Sequence, residues 1–286
     1  MVGGNIRNEE GYEKMVQPGV VADGSDCHGL CRAQPAPARP AAKRNVMPEK
    51  RMKNTRVLKL FGIGIVVALA CTVVYFVSVV IAARRYTITT ILPNTRASNY
   101  SLAPSDLTPR QLEILLKVED PQFFRHGGYD FSTPGAGITT ITQGLVKHLY
   151  FKKFKPGIAK FRQTLIAAYA LDPLMPKDEQ LRLFINKVYL GNGAQGFEQA
   201  SQQYFQKPFH QLSEDEYIAI VAEIIAPEVF NIHNYPARNV ERVARIKRLI
   251  SGEYKPLGLF DLYYGKIEPE AQKQLPAFSY FPSYYK

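Results

Sequence analysis

Three clusters of side chains in the middle of this chain have the types and spacing to do chemistry. The first is the carboxylate pair Glu119-Asp120, followed closely by Phe123, His126 and Asp130. A Glu-Asp pair at a helix end caps a turn or faces solvent unless its surroundings make it a proton acceptor. The second is Thr140, Gln143 and Lys147, which fall at i, i+3 and i+7 of one helix, opposite Ile141 and Leu145. The third is Lys160, Gln163, Thr164 and Ala167, on the side of another helix opposite Phe161 and Leu165, with Arg162 beside them. From spacing alone, both faces read as the solvated sides of ordinary amphipathic helices.

Helices must position these groups, and helical spacing runs through nearly all of the chain after Thr108. Thr108-Pro109 supply an N-cap and a first-turn proline ahead of Leu112, Leu115 and Leu116. Ile138, Ile141, Leu145 and Leu149 mark a second helix, and Ile158, Phe161, Leu165 and Tyr169 a third. Leu181, Phe184, Ile185 and Val188 make a fourth; Phe197, Ala200, Ser201 and Tyr204 make a fifth. Ser213 to Glu216 forms a capping box that opens a sixth, running to Ile225, and Val243, Ile246 and Ile250 carry a seventh. Only Tyr86 to Leu92 resembles a strand or extended stalk. The expected fold class is all-α.

Upstream, Leu60 to Ala83 form an uncharged apolar run of 24 residues. As a helix it is long enough for the roughly 30 Å hydrocarbon layer of a bilayer. Lys43, Arg44, Lys50, Arg51, Lys53, Arg56 and Lys59 precede it with one nearby acid, Glu49. The positive-inside rule therefore expects a cytoplasmic N-terminus and a domain on the outer side of the inner membrane, with Arg84-Arg85 opposing weakly. The chain divides into a disordered cytoplasmic tail (1–56), a transmembrane helix with flanks (57–85), an extended stalk (86–104) and a helical domain (105–286). Tail and remainder are both basic, +5 to Lys59 and +6 beyond it. Beside a bilayer such charge favours anionic head groups or a diphosphate over nucleic acid as partner. Cys27-His28-x-x-Cys31 lacks the spacing and fourth ligand of a zinc motif, so no metal site is expected.

The sequence around these clusters resembles the peptidoglycan glycosyltransferases of family 51. Glu119-Asp120-Pro-Gln-Phe123-Phe124-Arg-His126-Gly127-Gly-Tyr-Asp130 is similar to that family's opening E-D-x-x-F-x-x-H-x-G-x-D. Gly137-Ile-Thr139-Thr140-Ile141-Thr142-Gln143-Gly-Leu-Val-Lys147 resembles its second motif, G-x-S-T-I-T-Q-Q-x-x-K. Leu183 to Gly196, with Asn186 and Gly191, looks like the fourth, trailed by Tyr204-Phe205-Gln206-Lys207; Glu216 through Ala226-Pro227 matches the last loosely. The resemblance implies a membrane-tethered, lysozyme-like helical domain that lengthens glycan strands from lipid II. It makes Glu119 the base that takes a proton from the acceptor 4-hydroxyl. Thr140, Gln143, Lys147, Lys160, Arg162 and Gln163 are then expected at the substrate diphosphate, Arg162 on the strength of this sequence alone. Asp120, Phe123, His126, Asp130, Asn186 and Gly191 would hold the motifs' local structure, with Phe123 and Phe124 in the core. The implied partners are lipid II, the nascent glycan strand, membrane lipids and a separate transpeptidase. No dedicated cofactor is implied; Mg²⁺ would ride on the substrate diphosphate.

The match departs from the family at several positions. In the third motif Ala159 stands where an arginine belongs and Gln163 where a second glutamate belongs. Glutamine keeps the shape but can neither carry the charge nor exchange a proton. Arg182 replaces a glutamate, Gly144 and His148 stand at altered positions of the second motif, and the link from Asp130 to Thr139 is short. Asp172 or Glu179 could supply a replacement carboxylate. Three readings stay open: a polymerase running on Glu119, a glycan- or lipid II-binding scaffold, and a lysozyme-like enzyme that cleaves glycan. The serine acyl-transfer signatures of penicillin-binding proteins are missing as a set, Ser283-Tyr-Tyr-Lys286 fitting one by letter only. The expected branch is therefore the glycosyltransferase-only one.

Overall fold

The computed structural model describes residues 50–274 apart from 156 and 268, without the side chains of 50–53, 271 and 274. The tail to residue 49, with Cys27, His28 and Cys31, and the segment from 275 with Ser283 to Lys286 lie outside the described residues. The protein is helical, and among the described residues no strand forms; one isolated bridge pairs Tyr189 with Gln195. A first helix, α1 (Lys50–Tyr86), presents Leu60, Phe61, Val66 and Val73 to the outside. With its continuation it is long and apolar enough to cross a membrane.

The stretch read as an extended stalk is helical as far as Ala97, a correction to the sequence expectation. α1 runs through a π-turn (Thr87–Ile91) into α2 (Leu92–Ala97). Its β-branched threonines suit a strand, but here their hydroxyls bond back to the helix: Thr87 Oγ1 to the Ala83 carbonyl at 2.8 Å, Thr89 Oγ1 to that of Arg85 at 2.9 Å. The wider turn, closed by Leu92 N–H to the Thr87 carbonyl, accommodates Pro93, which has no N–H to give. Ala83, Thr87, Ile91 and Thr95 form a buried stripe at four-residue intervals. Tertiary packing on that stripe, including Thr87 Oγ1 to the Tyr150 hydroxyl at 2.6 Å, overrides the local β preference.

The domain then builds on α3 (Pro109–Glu119), α4 (Ile141–Tyr150), α5 (Ile158–Ile166, continuing as a π-turn to Leu171), α6 (Lys177–Lys187), α7 (Phe197–Phe205), α8 (Glu214–Glu223), α9 (Pro236–Ser251) and the short α10 (Pro269–Gln274). α8 is the centre, with α3, α7 and α9 packed around it. Tyr217-Ile-Ala-Ile-Val-Ala222 offers no polar side to solvent, so it is stable only when surrounded. Thr108 and Ser213 form the expected capping boxes of α3 and α8. α8 ends at Glu223, short of the expected Ile225.

α5 inverts its expected orientation. Ile158 and Phe161, placed by spacing on a core-facing stripe, are 67% and 70% exposed, and Tyr169 is also exposed. Its polar side turns inward instead, burying Gln163 against α4. The reason is a specific polar pairing between α4 and α5, described below, which apolar periodicity cannot register. Phe124, expected in the core, is likewise half exposed, whereas Phe123 is fully buried.

Candidate active site

α3 delivers Glu119 at its last residue. Ile114, Leu115 and Val118 are buried, which fixes the helix rotation, and the chain leaves at Asp120. The Asp120 carboxylate is buried and accepts the Ile141 N–H at 3.0 Å, at the first turn of α4 where an anion meets unpaired N–H groups and the positive helix end. His126 Nε2 lies 2.9 Å from both Asp120 oxygens, while its Nδ1 accepts the Gly128 N–H at 3.0 Å. An Nδ1 that accepts carries no proton, so the ring proton sits on Nε2 and is donated to Asp120. Gly128 has φ +90°, and a Cβ there would lie 2.6 Å from the Ala167 carbonyl oxygen. Its own carbonyl accepts Thr140 Oγ1 at 2.9 Å. Asp120, His126 and Gly128 thus tie the loop after Glu119 to the start of α4.

Thr140, Gln143 and Gln163 are buried between α4 and α5 and do not form the solvated face that their spacing suggested. Thr140 is the N-cap of α4 and accepts Gln143 N–H at 3.1 Å; Gln143 Oε1 returns to the Thr140 N–H at 3.2 Å. Gln143 Nε2 donates to Thr164 Oγ1 at 2.9 Å, and Gln163 Nε2 donates to the Gln143 main-chain carbonyl at 2.6 Å. All three side chains are buried, and Gln163 Oε1 is buried without a hydrogen-bond partner. These groups staple α5 to α4.

Lys147 and Lys160 interact electrostatically. Lys160 Nζ donates to Thr139 Oγ1 at 2.8 Å, which brings it to the N-terminal end of α4. Burial pushes both amines down to about 8, and the Lys160 charge adds to the depression at Lys147. Two half-buried ammonium groups lie within electrostatic reach of each other, and each disfavours the charge of the other. Arg162 does not join them: its guanidinium lies 5.3 Å over the Phe151 ring, with Nε buried and unpartnered.

Glu119 itself is half-buried, and no hydrogen bond from the described residues occupies its carboxylate. Burial raises it to about 7; the Arg242 guanidinium pulls it down and Asp120 pushes it up. A carboxyl poised near neutrality can take up a proton at physiological pH. Arg242 and Tyr264 were missed by sequence reasoning. Arg242 lies on α9, buried, with Nη1 donating to the Leu262 carbonyl at 2.8 Å and its guanidinium 4.8 Å from the Tyr264 ring centroid. The Tyr264 hydroxyl donates to the Val118 carbonyl, beside Glu119, at 3.1 Å. One signal was present for Arg242: with Ile246 and Leu249 it falls at i, i+4 and i+7, a charge in a buried register.

The remaining expected residues are structural. Asp130 accepts from Ser132 N–H and Oγ and from Thr133 Oγ1; burial would raise its carboxyl, but these bonds outweigh it and hold it to about 2. Asn186 brackets Leu102, accepting its N–H at 3.1 Å and donating to its carbonyl at 2.8 Å. Gly191 lies under Asn231 and the Tyr204 hydroxyl, where a side chain would collide. Asp172 pairs with Lys177 and Glu179 with Arg96, so neither is presented beside Glu119. Among the described residues no three His, Cys, Asp or Glu side chains converge, and Asp120 is already engaged by the Ile141 N–H and His126. A cavity of about 250 Å³ at the opposite end of α3, lined by Thr108, Arg110, His210 and Glu214, contains none of these groups.

Comparison with known proteins shows the family of the chain. The sequence model of the transglycosylase family matches residues 86–250. A Cupriavidus necator protein assigned as a transglycosylase is 29% identical over 171 residues, covering 53% of this chain and 74% of its own. Penicillin-binding protein 1F of Bacillus subtilis is 30% identical over 148 residues, covering 47% and 21%. Penicillin-binding protein 1A of Escherichia coli is 28% identical over 169 residues, covering 54% and 20%. The chain thus spans about a fifth of the length of these penicillin-binding proteins. It belongs to the transglycosylase family.

Proposed function

We propose that this protein polymerises peptidoglycan glycan strands from lipid II, with Glu119 as the general base. The observation that carries this reading is a half-buried carboxyl at the end of α3, raised by burial to about 7, one residue from the clamp that fixes it to α4. The acceptor 4-hydroxyl is a poor nucleophile while it keeps its proton. Glu119 takes that proton as the oxygen bonds to the donor anomeric carbon. The bond from that carbon to the diphosphate breaks on the opposite side, and undecaprenyl diphosphate leaves with the electron pair. Lys147 and Lys160, cations within electrostatic reach of each other, stabilise the departing anion. Glu119 then returns its proton to solvent. No step runs through a metal held by the protein; Mg²⁺ would accompany the substrate diphosphate.

A lipid-linked substrate must reach the site from the bilayer. Arg84, at the end of α1, donates to the Tyr169 carbonyl at 2.6 Å, which sets the base of the membrane helix against the exposed apolar side of α5. Ile158, Phe161 and Tyr169 would then meet acyl chains or head groups, and the basic surface would favour anionic lipids. The flanking charges orient the domain to the outer face of the inner membrane. A separate transpeptidase is the partner that would crosslink the peptides of the new strand.

Purified full-length protein in detergent, given either lipid II or finished sacculi, separates the readings by the size of the products. A ladder of lengthening glycan from lipid II is expected. Muropeptides released from sacculi would support a cleaving enzyme, and binding without turnover would support a scaffold.

A further inference from the structure

The family match ends at residue 250, but the chain next to Glu119 does not. After α9, residues 253–267 turn back over the front of the domain. Gly135 and Gly137 donate their N–H groups to the Gly258 and Leu259 carbonyls, both at 2.9 Å. These two glycines lie in the link between Asp130 and Thr140, the loop that leads into the start of α4. The contact is tight: a Cβ on Gly135 would lie 2.7 Å from Pro256, and one on Gly137 2.7 Å from Leu262. Asp261 braces the returning segment internally, accepting the Leu257 and Gly265 N–H groups at 3.0 and 3.1 Å and the Tyr254 hydroxyl at 2.7 Å. Its inner side holds Arg242 through the Leu262 carbonyl and the Tyr264 ring, and Tyr264 bonds to Val118.

We propose that residues 253–267 form a strap that belongs to the active site, its Leu262 and Tyr264 positioning Arg242 within electrostatic reach of Glu119 and its backbone locking the Asp130–Thr140 loop. The proposal rests on Glu119 being the working carboxyl. Three features make the strap more than a trailing tail. It contacts the loop through main-chain hydrogen bonds, which fix register rather than merely fill space. It supplies an acceptor and two of the three aromatic rings packed against a buried guanidinium whose Nε has no partner, Phe230 being the third. And it is the third layer around the carboxyl, after Asp120 from the end of α3 and Arg242 from α9, with Arg245 and Tyr263 behind. Tyr264 and Leu262 are positioning residues; neither needs to touch substrate.

Two readouts on the full-length protein in lipid nanodiscs test this without turnover, so their failure is distinct from failure of the polymerase reading. Amide hydrogen exchange should show residues 131–139 protected in the native chain. Leu262→Ala should speed exchange there at least tenfold while α8 keeps its protection, which also certifies the fold. Carboxyl ¹³C NMR, with Glu119→Gln as the assignment control, should place the Glu119 midpoint near 7. Tyr264→Leu should loosen Arg242 and move that midpoint upward by at least half a pH unit. Tyr264→Phe, which keeps the ring against the guanidinium, should leave it in place. Unchanged exchange over 131–139 in Leu262→Ala, or a midpoint unmoved or lowered in Tyr264→Leu, would overturn the proposal.

Discussion

Glu119 must lose its proton to work as a base, whereas Lys147 and Lys160 must keep theirs to hold an anion. With the carboxyl near 7 and the amines near 8, those demands overlap in a narrow window. On lipid II, kcat/KM should rise as pH passes about 7 and fall again past about 8; a pH titration of initial rates checks both limbs. Gln163 makes the opposite case, of a residue whose motif position suggests chemistry and whose surroundings make it a staple. Its Nε2 donates to a carbonyl, a bond that a carboxylate cannot make. Gln163→Glu should therefore leave activity no higher and lower stability by about 1–3 kcal/mol, read as a fall in denaturation midpoint. The motif made Glu119 legible, but nothing local could reveal its neighbours. Arg242 and Tyr264 lie more than a hundred residues downstream, and only folding brings them to the end of α3.

Helices were legible where one face decides burial, as in α3, α6 and α7, and where a cap is local in sequence, as at Thr108 and Ser213. They were misread where a polar pairing or a distant surface decides. The Thr87–Ile91 turn is helical because its buried stripe packs on Tyr150 and Ala170, and α5 turns its polar side inward because Gln143 and Gln163 need each other. An α5 that shows Ile158 and Phe161 beside the base of α1 is expected to touch lipid. An environment-sensitive fluorophore at Phe161→Cys, with the native cysteines replaced by serine, should emit at shorter wavelength in nanodiscs than the same label at Val240→Cys on α9. Equal emission at both sites would place α5 in water.

At the scale of the whole molecule, the pieces form one path. A membrane-crossing helix ends against α5, α5 is stapled to α4, and the start of α4 is clamped through Asp120 to the carboxylate at the end of α3. The family match covers most of that path, and the strap beyond it adds the last contacts to the Glu119 side. All-α class, membrane tether and family could be read from the chain because they rest on composition, period and motif order. The strap could not, because residues 253–267 carry no periodic pattern and act through main-chain atoms. The central claim concerns one proton, and Glu119→Gln tests it most directly, since the amide keeps size and shape while losing the base. Gel-resolved glycan from lipid II should fall by about 10²–10⁴ in rate, with the denaturation midpoint of the protein not lowered. Glycan formed at the native rate by that variant would contradict the account.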